Sequence, residues 1–156
     1  MSEKKSNIFK FVVIIVSIIV VASLGALFVN LGLDWFDGLV KPSRFVAGVA
    51  ISIVWGIIYS TFAVVLCVWA SKKDLPLSTI ILLILNGALN VVWCLLFFTL
   101  NNTILGLIAI IVNLILAYIL LINIYSRQKI YAYIFSIYPL WVSIATNLNL
   151  ALWILN

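Results

Sequence analysis

The sequence predicts an all-α integral membrane protein, a bundle of five transmembrane helices. Of its 156 residues, 67% are hydrophobic and only 8% are charged. The apolar residues form five runs, each close to the roughly 20 residues that a helix needs to cross a bilayer. A soluble domain needs more charge to cover its surface, so lipid must be the solvent for most of the chain. The runs are too long for strands and lack their alternating pattern.

The first span is predicted at residues 11–29, after the basic residues Lys4, Lys5 and Lys10. Its apolar run is longer than the apolar core of a signal peptide, and no clean cleavage site follows it. We therefore expect this segment to be retained as a true membrane span.

The other four spans follow with short connections. They are predicted at residues 46–70, 77–100, 103–125 and 130–155. Five spans use roughly 100 residues, and the remainder is sufficient only for loops. We therefore predict a single domain over residues 1–156.

Loop 1, residues 30–45, is predicted to contain a short helix. Asp34 is a suitable N-cap, Lys41 would lie in the last turn, and Pro42 would end the helix. Trp35 and Phe36 give this helix an aromatic surface. The segment is either an interfacial anchor or a lid over an outward-facing cavity.

The basic residues predict the orientation in the membrane. The N-terminal segment and the second and fourth connections carry seven of them, whereas the other connections carry two. The seven are Lys4, Lys5, Lys10, Lys72, Lys73, Arg127 and Lys129, and the two are Lys41 and Arg44. By the positive-inside rule, the N-terminus is expected to be cytoplasmic and the C-terminus outside, in a bacterial plasma membrane. Because the basic residues are scattered beside apolar runs, we expect no binding of nucleic acid.

The composition excludes much chemistry. The chain has no histidine, which excludes histidine-based zinc sites, His-dependent triads and the usual axial ligand of haem. All four acidic residues lie outside the apolar runs, so no carboxylate is available for a proton relay within the membrane. Cys67 and Cys94 lie in apolar runs and are interpreted as inert thiols. We expect no metal and no required cofactor.

Small residues recur every four positions on the second span. They are Gly48, Ser52, Gly56 and Ser60. Such a ridge permits close helix packing, and the sequence leaves open whether it packs inside the bundle or between subunits.

Polar residues within the spans are the candidates for a site. Asn86 and Asn90 are one turn apart on the third span, and Trp93 shares their face. Counted from the outer end of each span, Trp55, Asn90 and Ala145 lie at roughly 14–15 Å depth. Aromatic walls and amides at one level would suit a flat apolar ligand. Hydrogen bonding between helices and aromatic core packing remain the alternatives.

Three blocks of sequence resemble the translocator protein family, also called tryptophan-rich sensory proteins or peripheral benzodiazepine receptors. Residues 35–43, WFDGLVKPS, are similar to the family's loop-1 block, with Trp55 and Tyr59 following at the expected distance. Residues 86–98, NGALNVVWCLLFF, resemble its third-helix block, and residues 138–156 its closing block. The blocks occur in the family's order along nearly the whole chain.

The resemblance implies a five-helix bundle, often a homodimer, with a pocket beneath loop 1. It implies tetrapyrrole ligands such as protoporphyrin IX, and drug-like apolar ligands of the benzodiazepine or isoquinoline type. Carried over by motif, the ligand-binding residues are Phe36, Trp55, Tyr59, Asn86, Asn90, Trp93, Tyr138, Trp141 and Ala145. Trp35 and Trp141 match tryptophans linked in some bacterial members to light-dependent porphyrin degradation, which would make them catalytic.

The leading interpretation is therefore a membrane receptor or handler for tetrapyrroles. A transporter of porphyrin or a small solute is one alternative, but it would show paired repeats and broken helices, and the sequence predicts neither. A regulatory protein that uses its ligand as a switch is another. An enzyme would depend on the photochemistry of the ligand itself, because no nucleophile or acid–base pair is evident.

Overall fold

The computed structural model describes residues 3–43 and 48–156, with side chains from residue 6 onward. These residues contain five helices that are long and apolar enough to cross a membrane, and no strand. The predicted fold class, a five-transmembrane-helix bundle, is confirmed. The helices are α1 Glu3–Leu31, α2 Leu33–Gly38, α3 Gly48–Lys72, α4 Leu77–Cys94, α5 Thr103–Tyr125, α6 Lys129–Phe135 and α7 Ile137–Leu155.

The long helices form a ring. α1 contacts α3 and α4, α4 contacts α5, α5 contacts α7, and α6 and α7 close the ring against α3. The backbones of α3 and α4 do not pack against each other in the described part of the chain, and α1 lies across the space between them. This gap positions part of the site described below.

Polar contacts define the two ends of the bundle. At one end Lys10 pairs with Asp74 at 2.6 Å, and Arg127 donates to Ser78 at 3.1 Å. At the other end loop 1 is bonded to Asn156, at the end of α7. We call the first end the basic face and the second the loop-1 face. Some predicted features lie outside the described residues. They are Arg44, the start of the second span predicted at residue 46, and the side chains of Lys4 and Lys5.

The loop-1 helix differs from its prediction. It begins after Gly32 without a side-chain cap, so Asp34 lies in its first turn and is not the N-cap. No side chain could cap the helix at this position, because a Cβ at Gly32 would overlap the backbone carbonyl of Phe98. Lys41 lies beyond the end of the helix, not in its last turn. From there its Nζ donates to the carbonyl of Phe36 at 3.0 Å and to that of Asp37 at 2.9 Å.

Two spans depart from regular α-helix. Residues Leu95–Thr99 form a π-helical turn at the end of α4, with the Leu100 N–H bonded to the Leu95 carbonyl at 2.9 Å. The fifth span is interrupted at Ser136, between α6 and α7. Pro139 explains the break, because it has no N–H for the carbonyl four residues earlier. The backbone of Ser136 stays helical, and residues Lys129–Leu155 still form one membrane span, so the irregularity is a proline kink and not the discontinuous helix of a transporter.

The small-residue ridge of α3 faces outward. Gly48, Ser52, Gly56 and Ser60 are all exposed. Among the residues that the structure describes, nothing lies within 4 Å of a Cβ built on Gly48 or Gly56. The ridge is thus not used for packing inside the bundle.

Candidate functional site

A small cavity lies beneath loop 1, between α3, α4 and α7. Its volume is about 260 Å³. Five of the residues predicted for the site border it, namely Phe36, Trp55, Trp93, Trp141 and Ala145. We call it the outer cavity.

A second and larger space lies between α1, α3 and α4, toward the basic face. Its volume is about 960 Å³, and Lys10 and Asp74 border its end at that face. The remaining predicted ligand-binding residues line this space, and so does Trp55, which also lines the outer cavity. The predicted residues in its wall are Trp55, Tyr59, Asn86, Asn90 and Tyr138. We call it the inner cleft.

The structure therefore divides the predicted site in two, and Trp55 borders both parts. The Trp55 ring stacks on that of Tyr59, with 5.5 Å between centroids and 26° between planes. Trp35 borders neither space, because its ring packs edge-on against Phe97 at 5.5 Å. The proposed catalytic pair, Trp35 and Trp141, is not brought together in one cavity.

Phe97 and Phe98 are cavity walls that the sequence interpretation missed. Both are buried, both belong to the π-helical turn and both border the outer cavity. Consecutive residues of a regular α-helix point about 100° apart, whereas π turns often occur at functional sites. The Phe97 ring stacks on the Trp93 ring with 6.1 Å between centroids, and the centroid of the Phe98 ring lies 5.1 Å from that of Phe36 in loop 1. The double phenylalanine was the available signal.

The two indole N–H groups of the outer cavity differ. Nε1 of Trp93 donates to Oδ1 of Asn149 at 3.1 Å, an α7 amide that was not predicted as part of the site. Nε1 of Trp141 is buried and has no partner among the described residues. A buried unpaired donor is costly, so this indole is the polar group of the cavity wall with unused bonding capacity.

Asn86 is used for bonding between helices. Its Nδ2 donates to the carbonyls of Leu82 at 2.8 Å and Leu116 at 3.3 Å. Its Oδ1 lies 3.3 Å from the hydroxyl of Tyr138, which also bonds Asn113. This network joins α4, α5 and α7, so the capacity of Asn86 is used within the protein.

Asn90 is only partly used. Its Nδ2 donates to the hydroxyl of Tyr59 at 2.9 Å, which links α4 to α3 across the cleft. Among the described residues, Asn90 Oδ1 has no donor and the Tyr59 O–H has no acceptor. Because both residues border the inner cleft, they offer one hydrogen-bond acceptor and one donor to a ligand.

The described part of loop 1 borders the outer cavity and is called the lid from here on; it is hydrogen-bonded to the end of α7. Oδ1 of Asn156 accepts from the backbone N–H of Val40 at 2.9 Å, and its Nδ2 donates to the carbonyl of Val40 at 3.1 Å. Lid residues Phe36 and Pro42 border the outer cavity. Sequence reasoning did not single out Asn156.

At the basic face, Lys10 and Asp74 form an exposed ion pair at the end of the inner cleft. The hydrogen bond from Lys10 and its positive charge lower the pKa of the Asp74 carboxyl. An ammonium group has three donors, and the contact with Asp74 uses one.

Together the two spaces offer aromatic surface, a few amides and one charged end. This arrangement is suited to binding a mostly apolar ligand by stacking and a few hydrogen bonds. The hydrogen-bonded pairs among the described wall residues join amides to phenols or to an indole, and the charged pair is Lys10 with Asp74.

Comparison with known proteins agrees with this architecture. No curated protein matches the chain. A sequence model of the TspO/MBR family matches residues 12–154, nearly the whole chain. With five membrane-spanning helices over the same residues, this integral membrane protein belongs to the TspO/MBR family.

Proposed function

We propose that this protein is a membrane receptor or handler for tetrapyrroles, such as protoporphyrin IX, and for benzodiazepine- or isoquinoline-type ligands. Membership of the TspO/MBR family supports a porphyrin- or ligand-binding, translocator-type role in the membrane in general. The observation that carries the proposal is the position of Trp55 in the walls of both spaces. It gives the bundle aromatic surface from the lid to the cleft, on which flat ligands stack.

The ligand is expected to be a metal-free porphyrin. The chain contains no histidine, and tyrosine and cysteine are the remaining donors for an iron atom. A free-base ring needs no axial ligand and can be held by stacking and hydrogen bonds alone.

Titration of the purified protein with protoporphyrin IX, haem and a sterol tests the proposal. Protoporphyrin IX should quench tryptophan fluorescence saturably, and haem and the sterol should bind more weakly. Quenching that rises linearly with porphyrin concentration, as it does with free tryptophan in the same detergent, would refute the proposal.

The proposal includes orientation in a bacterial plasma membrane, with the basic face in the cytoplasm. Ser71 and Ser43 are exposed on opposite faces of the bundle, so cysteines introduced there report the orientation. A membrane-impermeant thiol reagent added to intact cells should label Ser43→Cys and leave Ser71→Cys unlabelled. The reverse pattern would show that the basic face is outside.

The proposal also includes a homodimer, as the family resemblance implies. The outward ridge of α3, with Gly56 at its centre, permits close approach of a second helix. Substitution of Gly56 by leucine should shift the protein from dimer to monomer in analytical ultracentrifugation. Leucine at Ile57, an exposed neighbour on the same helix, is the control and should leave the dimer intact.

A further inference from the structure

We propose that the inner cleft binds one anionic phospholipid, with its acyl chains between α1 and α4 and its phosphate at Lys10, beside Lys72 and Lys73. The inference goes beyond the proposed function, because it concerns a lipid of the surrounding bilayer and not a tetrapyrrole. Four features of the cleft carry it, namely its depth, its aliphatic wall, its side opening and the charge at its end.

The depth of the cleft matches one leaflet of a bilayer. Near its inner end, Nδ2 of Asn90 donates to the hydroxyl of Tyr59 and so joins α4 to α3. Asn90 is 13 residues from Leu77 at the basic end of α4, and Tyr59 is 13 residues from Lys72 at the basic end of α3. Both therefore lie roughly 20 Å from the basic face. Half of a bilayer with its headgroups is also about 20 Å thick, so an acyl chain that enters at the basic face reaches this bond.

The wall of the cleft is suited to hydrocarbon chains. Most of the residues that line it are aliphatic, and its volume is about 960 Å³. A methylene group takes up roughly the 30 Å³ of a water molecule in the liquid, so this volume holds about 30 methylene groups. That is the content of the two acyl chains of one phospholipid.

The cleft opens sideways into the leaflet. α1 and α4 are in contact where Gly87 faces Val21, since a Cβ built on Gly87 would lie 3.2 Å from the valine side chain. Closer to the basic face, Val16 on α1 and Ile80 and Ile84 on α4 border the cleft and are exposed. A lipid can therefore insert its chains between the two helices without leaving its own leaflet.

The charge at the end of the cleft selects the headgroup. Lys10 and Asp74 border this end, and Lys72 and Lys73 are exposed at the adjacent end of α3. Lys10 uses one of its three donors on Asp74, and neither Lys72 nor Lys73 forms an ion pair with a described residue. The lysines therefore outnumber the aspartate. Basic groups beside a membrane span attract anionic lipids, so phosphatidylglycerol should bind more tightly than a zwitterionic lipid.

Such a lipid would stabilise the least embedded helix of the bundle. Only 6% of the apolar core of α1 is buried in the protein, against 17–39% in the other four spans. A lipid held between α1 and α4 adds packing contacts to both helices. Phosphatidylglycerol should therefore raise the melting temperature of the protein in detergent more than phosphatidylcholine does.

Native mass spectrometry of the purified protein tests the site. Palmitoyl-oleoyl-phosphatidylglycerol should occupy one saturable site, at least tenfold more tightly than phosphatidylcholine with the same chains. Ile84→Trp should weaken it at least fivefold, because the indole fills the side opening. Leu85→Trp adds the same volume to α4 outside the cleft, so this control should bind like wild type. If Ile84→Trp folds poorly, Val16→Trp tests the opposite wall, with Ile15→Trp, outside the cleft, as its control.

Two substitutions in one ion pair test the headgroup contact. Lys10→Gln and Asp74→Asn both remove the ion pair of α1 with the α3–α4 connection, so a purely structural role predicts the same effect for both. A phosphate contact predicts opposite effects. Lys10→Gln should weaken phosphatidylglycerol at least threefold, whereas Asp74→Asn should tighten it, because the lysine loses a competing carboxylate. Binding of phosphatidylcholine should not change in either variant.

Three results would overturn the assignment. They are equal affinity for the two lipids, equal loss of phosphatidylglycerol in Ile84→Trp and Leu85→Trp, and equal weakening by Lys10→Gln and Asp74→Asn. If Ile84→Trp leaves lipid binding unchanged but converts a dimer to a monomer in analytical ultracentrifugation, the cleft holds a helix of a second copy, which also overturns it. No porphyrin is used in these measurements, so the lipid site and the proposed function succeed or fail separately.

Discussion

The outer cavity and the inner cleft share Trp55 but are built differently. Around the outer cavity, backbone and rings are in close contact: Gly32 lies against the Phe98 carbonyl, and Gly106 lies against the Phe97 ring. In the inner cleft a Cβ on Gly87 would meet the side chain of Val21 at 3.2 Å, and flexible aliphatic groups form most of the wall. Close packing gives a preformed shape, whereas aliphatic walls can adapt. The two spaces should therefore respond differently to substitution.

The largest effect is expected at Gly32. Gly32→Ala would force the added methyl into the Phe98 carbonyl, and such overpacking costs about 1–3 kcal/mol. The melting temperature in detergent should fall. Binding of an isoquinoline-type ligand should weaken, because loop 1 is displaced from the outer cavity.

Gly38→Ala, at the end of the same short helix α2 and away from the proposed dimer ridge, is the matched control. Its added methyl meets nothing within 4 Å among the described residues, and alanine is favoured over glycine in a helix by up to about 1 kcal/mol. This variant should melt at the wild-type temperature or above it. Equal melting of the two alanine variants would show that the loop-1 end is not close-packed.

The two amides of α4 should separate stability from binding. Asn86→Leu removes bonds to Leu116 and Tyr138 and should cost about 1 kcal/mol of folding free energy. Asn90→Leu should weaken protoporphyrin IX by about 1 kcal/mol or more if its amide bonds the ligand. Porphyrin titrations and thermal melts of both variants measure the difference. Unchanged affinity in Asn90→Leu, with folding intact, would assign both amides to helix packing.

Removing the fastening of the lid should affect only the outer cavity. Asn156→Ala deletes both bonds to Val40, each worth about 1 kcal/mol, so 1-phenylisoquinoline should dissociate several times faster in stopped-flow measurements. Asn147→Ala is the control, since Asn147 borders the same cavity but bonds only the carbonyl of Ser143 on its own helix. A similar acceleration in both variants would contradict the role given to Asn156.

A smaller effect is expected for light-dependent loss of bound porphyrin. The family resemblance assigns this activity to Trp35 and Trp141. The Trp35 ring packs against Phe97, whereas Trp141 borders the outer cavity. We expect Trp141→Phe, whose indole borders the outer cavity, to slow the bleaching of bound porphyrin absorbance under illumination, and Trp35→Phe, whose ring borders neither space, to slow it less. If wild type and both variants bleach at the rate of free porphyrin, the protein binds without degrading.

The smallest effect is expected from the ion pair at the mouth of the cleft. Because Lys10 lowers the pKa of Asp74 in the folded protein, the pair stabilises the fold above the ordinary aspartate pKa. This contribution is lost as the pH falls through the lowered pKa. Asp74 is fully exposed and screened by salt. At low salt, wild type should melt slightly above Asp74→Asn at neutral pH, and the difference should vanish in acid. A difference independent of pH would contradict the pairing.

The fold was predictable because span length and charge are explicit in the sequence. The faces of the spans were not, because in lipid a buried face is no more apolar than an exposed one. On α5 the buried positions include Gly106, Ala109, Asn113 and Ala117, small or polar residues, whereas most of the equally apolar α1 is exposed. Small and polar residues therefore indicate burial better than hydrophobicity does, and the outward ridge of α3 shows the exception.

The site was predictable by residue type and not by grouping. Asn86 and Asn90 were placed on one face, and both are buried, but their partners lie on different helices. The equal depth of Trp55, Asn90 and Ala145 carries no information on direction around the helix axis, so it could not reveal that two spaces are present. The π-helical turn at Leu95–Thr99 has no known pattern in sequence, and it determines how Phe97 and Phe98 both reach the outer cavity.

Because α1 is held near its two ends, the thickness of the bilayer should affect the width of the cleft that α1 borders. The described side-chain hydrogen bonds that hold α1 are near its ends, from Lys10 to Asp74 and from Thr99 to the Phe28 carbonyl. Its apolar span of 26 residues is about 39 Å long, more than the roughly 30 Å of a typical hydrocarbon core. A helix too long for its bilayer tilts or bends. Thinner membranes should therefore tilt or bow α1 across the cleft more strongly, so that lipid composition sets the width of the cleft.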